Sequence, residues 1–107
     1  MSAKERQARS RLKLLLGEPG ILRASLIEMK RRCGNTYCRC AKAKRHWHLS
    51  WYAGQSRGGK KRMKYIPPDL VDEVRHWVER YREVSRLLDE VSDENWSHLL
   101  RRAKRNR

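Results

Sequence analysis

All three cysteines, Cys33, Cys38 and Cys40, and two of the four histidines, His46 and His48, fall within sixteen consecutive residues. Their order is Cys33-x4-Cys38-x-Cys40-x5-His46, with His48 two positions further on. Thiolates and imidazoles are zinc ligands, and a structural zinc ion takes four of them in a tetrahedron, three Cys and one His being a common set. Gly34 directly follows the first cysteine, and a residue without Cβ suits a tight knuckle in which backbone N–H groups turn toward sulfur. The spacing therefore predicts a structural zinc site of Cys33, Cys38, Cys40 and His46, with His48 as the rival for the fourth position. Two other chemistries compete. A disulfide framework is disfavoured by the odd count and by the poor geometry for bridging Cys38 to Cys40. Thiols without metal, made reactive by Arg31, Arg32, Arg39 and Lys42, are the second alternative. His76 and His98 stand singly in the sequence, and isolated histidines are more often half-buried polar residues than ligands.

The charge surrounding this motif is one-sided. Residues 1–66 carry 18 Lys and Arg against 3 Asp and Glu, a balance of +15, whereas residues 67–107 carry 9 of each. All of the formal net charge of +15 thus lies in the part that holds the cysteines. Such segregation marks a surface for a polyanion, for which nucleic acid is the default partner. The expected phosphate contacts are Arg31, Arg32, Arg39, Lys42, Lys44, Arg45, Arg57, Lys60, Lys61, Arg62 and Lys64, with Tyr52 placed to stack on a base. Nothing points to an enzyme. Hydrolytic zinc needs an open position and a general base, and the basic half offers only Glu5, Glu18 and Glu28, far apart in sequence.

The elements that must position these groups can be read in order. Residues 2–16 form a short basic helix with Ala8, Leu12, Leu15 and Leu16 on one face, stopped by Gly17, Pro19 and Gly20. Leu22, Leu26 and Met29 suit a helical turn or two leading into Cys33. After the motif, Trp47, Leu49 and Trp51 alternate with His48, Ser50 and Tyr52 as in a strand. A turn over residues 54–59 returns the chain through a second strand, in which Met63 and Tyr65 share a face opposite Lys60, Arg62 and Lys64. Trp47, Trp51 and Tyr65 are expected to form the small core, with base stacking as the competing use of such rings.

Pro67-Pro68 opens a long helix whose apolar residues Leu70, Val74, Trp77, Tyr81, Val84, Leu88 and Val91 keep heptad spacing. That stripe serves either as a homodimer seam over residues 68–91 or as the face on which the rest of the chain packs. The spacing breaks after Val91, and Ser92-Asp93 is expected to cap a separate short helix with a basic tail. Three segments result, expected to form one structural domain: a basic helix or arm at 1–20, a zinc knuckle with a β-hairpin at 21–67, and a long amphipathic helix with a short basic C-terminal helix or tail at 68–107. The fold class is α+β, with the knuckle and hairpin packed on the long C-terminal helix. With 38% apolar and 36% charged residues, the chain has little to bury, so a metal or a second subunit is expected to help it fold. No apolar run is long enough to span a membrane and no secretory core is visible, so the cytoplasm is the expected location, where thiols stay reduced.

The run S-L-I-E-M-K-R-R-C-G-N-T-Y-C-R-C-A-K-A-K-R-H, the aromatic strand, the Gly-Gly-Lys turn, the strand ending Tyr-Ile-Pro and the charged helix resemble a family of short prokaryotic and phage proteins of unknown function. That family's pattern is similar to Ser-Leu, a basic run, Cys-Gly-Lys-x-x-Cys-x-Cys, then His-Gly-Pro-Tyr. The likeness covers about residues 24–92. It implies Cys33, Cys38, Cys40 and His46 as the shared set. This chain departs from it at Asn35, where Lys is usual, and at Trp47-His48-Leu49, where Gly-Pro-Tyr is usual. Family members are often met among mobile-element and phage genes, which implies a nucleic-acid-handling accessory, DNA or RNA. The expected alternative is an adaptor that dimerises or docks a partner through helix 68–91.

Overall fold

The computed structural model describes residues 1–32 and 34–105. The first element, α1 (Ala3–Gly17), begins at an N-cap: Ser2 Oγ accepts the Glu5 backbone N–H at 3.0 Å. A three-stranded antiparallel sheet follows, in the order β1 (Ser25–Arg31), β2 (His48–Arg57), β3 (Lys60–Ile66). Between β1 and β2 lie two 3-10 turns, Arg39–Ala41 and Lys44–His46. A third, Pro68–Leu70, leads into α2 (Val71–Arg105), the longest element.

The chain divides into two compact units, one of Met1–Leu22 with Glu79–Arg107 and one of Arg23–Val78. In the first unit, α1 and α2 share a core of Ala8, Leu12, Val84 and Leu87, with Leu15 and Val91 packed against it. Leu16, expected on that face, is instead exposed, and Glu5 fills the position one turn before Ala8. The Glu5 carboxylate is buried and accepts Arg9 Nε at 2.7 Å, and this hydrogen bond, ahead of the opposing effect of burial, holds its pKa below the ordinary carboxylate value. Arg80 donates to the carbonyls of Pro19 and Gly20, tying down the chain where α1 has ended.

The second unit holds the sheet. Residues 25–31 are a strand, not the helical turns that Leu22, Leu26 and Met29 predict. The reason is tertiary: β2 has backbone groups to pair on both edges, and Ser25–Arg31 pairs with it residue for residue from Ser25↔Gly54 to Arg31↔His48. The Gln55 side chain secures the start by donating to the Arg23 carbonyl at 2.7 Å. The hairpin turn is tighter than its sequence implied. Strand β2 runs on to Arg57, and Gly58 (φ 57°) and Gly59 (φ 78°) alone make the loop, both in the left-handed region that a type I′ turn requires.

Register fixes the two faces, because directly opposed residues point the same way. One face carries Glu28, Trp51, Ala53, Gln55, Arg57, Lys60, Arg62, Lys64 and Ile66. The other carries Ile27, Met29, Arg31, His48, Tyr52, Lys61, Met63 and Tyr65. Trp51 and Tyr65 therefore lie on opposite faces and do not share a core. The Trp51 face is turned to the start of α2, where the Arg75 guanidinium sits 5.5 Å from the Trp51 ring centroid and Ile66 is buried. Val71, Val74 and Val78 are buried on the same stretch of α2.

Two expectations for the long helix are corrected. Helix α2 does not break after Val91; it contains neither Gly nor Pro, and Asn95 Nδ2 donates to the Val91 carbonyl at 2.8 Å without interrupting the ladder. The buried row is Val71, Val74, Val78, Val84 and Leu87, while Leu70 and Leu88 of the heptad stripe are exposed. Leu70 belongs to the preceding 3-10 turn, and a straight helix of 3.6 residues per turn drifts off a strict heptad. The outer side is laced by Arg86, which pairs with Glu83 at 2.6 Å and with Glu90 at 3.1 Å.

Candidate functional site

The segment between β1 and β2 is built from turns, each closing on the last. Gly34 has φ of 85°, a conformation that needs the missing Cβ. Asn35 Oδ1 accepts the Tyr37 N–H at 2.9 Å, and the Asn35 carbonyl accepts the Cys38 N–H at 3.1 Å. Asn35 thus closes an Asx turn ahead of Cys38. The Ala41 N–H then returns to the Cys38 carbonyl at 3.1 Å, the His46 N–H to Ala43 at 3.0 Å and the Trp47 N–H to Lys44 at 3.1 Å. Within so compact a path, Cys38 and Cys40 come back beside the first residue of β2.

That residue is His48. The Sγ atoms of Cys38 and Cys40 and one ring nitrogen of His48 all lie within 4.8 Å of one another, and Cys38 Sγ is 3.1 Å from His48 Nε2. A tetrahedral zinc ion with Zn–S of about 2.3 Å and Zn–N of about 2.0 Å sets its donors about 3.6–3.8 Å apart. Two thiols and an imidazole at these separations fit a soft divalent metal with shifts of about an ångström or less at each donor. Cys40 is buried at 1% exposure, Cys38 is half-buried, and His48 is at the surface.

The histidine in this cluster is His48, whereas spacing favoured His46. His46 ends the second 3-10 turn, and its Nε2 accepts Arg45 Nε at 3.2 Å. His48 is placed by sheet register: it pairs with Arg31, so the knuckle opens and closes on one pair of strand ends. Counting residues could not detect this, because the selection is made by β1, a strand that periodicity had assigned to a helix. Cys33 lies outside the described residues.

All eleven basic candidates are exposed, and the structure divides them. Arg39 and Lys42 sit on the first 3-10 turn. Arg32 and Lys44 stand 5.6 and 5.5 Å from the ring centroid of half-buried Trp47. Arg45 is engaged with His46, and Arg62 donates to Gln55 Oε1 at 2.8 Å. Arg57, Lys60, Arg62 and Lys64 line one face of the hairpin, and Lys61 stands on the other. Arg31 donates to the Tyr52 hydroxyl and lies over its ring, 5.7 Å from the centroid. Tyr52, the expected stacking residue, is half-buried and occupied in this way. Tyr65, expected in the core, is 48% exposed beside it.

Residues 23–66 hold 13 Lys and Arg and a single carboxylate, Glu28. The segregation of charge seen along the sequence is therefore concentrated on the sheet and knuckle, while Asp69, Asp72 and Glu73 gather where α2 begins. Among the described residues no helix is long and apolar enough to cross a membrane.

No curated protein and no solved structure gives a match to this chain. A family model does match over residues 2–76, which takes in α1, the whole knuckle and sheet, and the first turns of α2. The chain belongs to that family, described as a domain of unknown function (DUF6788).

Proposed function

We propose that the protein is a small zinc-stabilised nucleic-acid-binding module that grips phosphates through its hairpin and knuckle. The observation that carries this reading is the composition of residues 23–66, where 13 cations and a single acid are spread over the three-stranded sheet and the turns between β1 and β2. Cations displayed on so small a surface repel one another, and a phosphate backbone relieves that repulsion while releasing counterions. The metal is the structural partner of this lobe. Cys38, Cys40 and His48 hold it, and the sequence motif offers Cys33 as a further thiol. A bound zinc ion lowers thiol pKa values and supplies cross-linking that a lobe of so few buried residues lacks. The test is elemental analysis of the purified protein together with filter binding to DNA and RNA. Near-stoichiometric zinc and binding to either polymer are expected; metal-free, fully ordered protein that retains neither would overturn the proposal.

A second reading, self-association through α2, is favoured by one observation. Leu88, Trp96, Leu99 and Leu100 are all at least 54% exposed and fall on one side of that helix. A second copy of the same stripe is the occupant that would cover it symmetrically. Sedimentation separates the readings: a clean monomer that binds nucleic acid removes this one.

A further inference from the structure

Resting on the nucleic-acid reading above, we infer that the Tyr65 face of the sheet is a stacking platform for unpaired bases, so that the ligand is single-stranded nucleic acid. The two faces of the sheet differ in what covers them. The Trp51 face meets α2 through Arg75 and buries Ile66. On the opposite face Tyr65 and Met63 stay 48% and 53% exposed in the middle of regular pairing.

Tyr52 holds Tyr65 in place. The two rings are register partners, edge to face, with centroids 5.7 Å apart and planes at 69°. The Tyr52 hydroxyl and one side of its ring are taken by Arg31. Tyr52 is thus a fixed strut, and Tyr65 presents the ring that is open. A base gains most from a ring already immobilised, since little side-chain entropy is left to lose.

Beside Tyr65 the surface is flattened. A Cβ at Gly54 would lie 2.7 Å from Ile27 Cδ1, so Ile27 occupies the space that any side chain there would take, with Met63 on its far flank. Apolar floor and aromatic ring together suit the flat face of a nucleobase. The charge on this face is complementary to a phosphate backbone. Lys61 stands toward the turn and Arg31 at the knuckle end, opposite Ser56 and His48 respectively, and the acid of the sheet, Glu28, is on the other side. Phosphates flanking a stacked base call for cations beside the ring and no carboxylate among them, and Lys61 on this face meets that need. Duplex hides its base faces and shows only edges, so an open ring discriminates in favour of a single strand.

The experiment uses the full-length, zinc-loaded protein and a short single strand carrying an adenine analogue whose fluorescence is quenched by stacking, with its annealed duplex as competitor. Wild type should quench the analogue and prefer the single strand. Tyr65→Ala should weaken single-strand affinity by about 5- to 150-fold and abolish the quench, the range measured for losing one base–aromatic stack. Tyr65→Phe should restore both to near wild type, and circular dichroism should show the same fold in all three. Equal or tighter binding of duplex, or an unaltered quench in Tyr65→Ala, overturns the platform while leaving the phosphate reading intact. Absence of binding to either polymer overturns both, and a protein retained on this face in competition with the strand would identify it as a protein-docking surface instead.

Discussion

Salt dependence is the most direct consequence of the charge arrangement, because its size follows from a count of residues. Of the hairpin and neighbouring cations, Arg62 already donates to Gln55 and Arg31 to Tyr52. Arg57, Lys60, Lys61 and Lys64 are then four exposed side chains that can each meet a phosphate. For a single strand, log K falls with log salt at about 0.7 per phosphate neutralised, so four contacts give a slope of about −2.8. Between about 50 and 200 mM salt this is a loss of about 50-fold in affinity. Replacing Lys60, Lys61 and Lys64 by Gln removes three of these contacts and should flatten the slope by about 2.1, a change of about 20-fold over the same interval. The three lysines are exposed, so the exchange should not disturb folding. The assay is anisotropy of a labelled single strand titrated at several salt concentrations. A wild-type slope shallower than about −1 would refute phosphate gripping as the basis of binding. A triple variant with an unchanged slope would refute the hairpin as its location and move it to Arg39, Lys42 and the knuckle.

Three further outcomes follow from the packing and the cluster. Cys40→Ser should release zinc into a chromogenic chelator and lower the melting temperature of the sheet unit, since Cys40 is 1% exposed and its sulfur is one of the gathered donors; an unchanged melt with full metal content would reject the site. Leu87→Ala should cost about 2–4 kcal/mol in urea unfolding, whereas Leu88→Ala should stay within about 0.5 kcal/mol, because only Leu87 lies in the α1–α2 core; equal losses would show that the heptad stripe is the buried one. Glu5 has a folded pKa held low by its hydrogen bond from Arg9, so its stabilising contribution is complete above the unfolded carboxylate pKa and is lost as pH falls through the lower folded value. Glu5→Gln should therefore flatten the acid limb of the stability curve below the ordinary carboxylate range, and a curve superimposable on wild type would show that this pair contributes nothing.

Much of the architecture was legible in the residues, and several of the parts that were not share a cause. Helix α1, the β2–β3 hairpin and the start of the long helix announce themselves through periodicity, paired glycines and Pro68, all of which act within a few residues of where they stand. The α+β class follows from them. Strand β1 was hidden because Leu22, Leu26 and Met29 have helical spacing, and only the open edge of β2, more than fifteen residues further along, makes extension the better solution. The misplacements of the histidine and of Tyr52 descend from that one strand, while that of Tyr65 comes from the β2–β3 register. Without β1 there is no pairing of Arg31 with His48, so His46 has the better spacing for the metal. Without that pairing the knuckle end of the sheet cannot be located, and Tyr52 looks like the open ring. With β1 in place, His48, Arg31, Tyr52 and Tyr65 follow one another along a single face, from the candidate metal ligands to the proposed stacking surface.

That continuity would give a metal held by Cys38, Cys40 and His48 a consequence beyond stability. His48 is held at one end of the face by Cys38, and Arg31, its register partner, is what occupies Tyr52 and so fixes Tyr65. A metal that immobilises His48 therefore pre-organises the ring four residues away without touching it, by pinning the end of the β1–β2 pairing. Removal of zinc at a temperature where the sheet survives should then weaken single-strand stacking more than it weakens the salt-dependent phosphate term, since Lys60, Lys61 and Lys64 sit on the far hairpin. The quench of the adenine analogue and the salt slope report these two terms separately. Parallel loss of both on chelation would mean that the metal merely keeps the lobe folded; loss of the quench with a preserved slope would place it at the base-reading end.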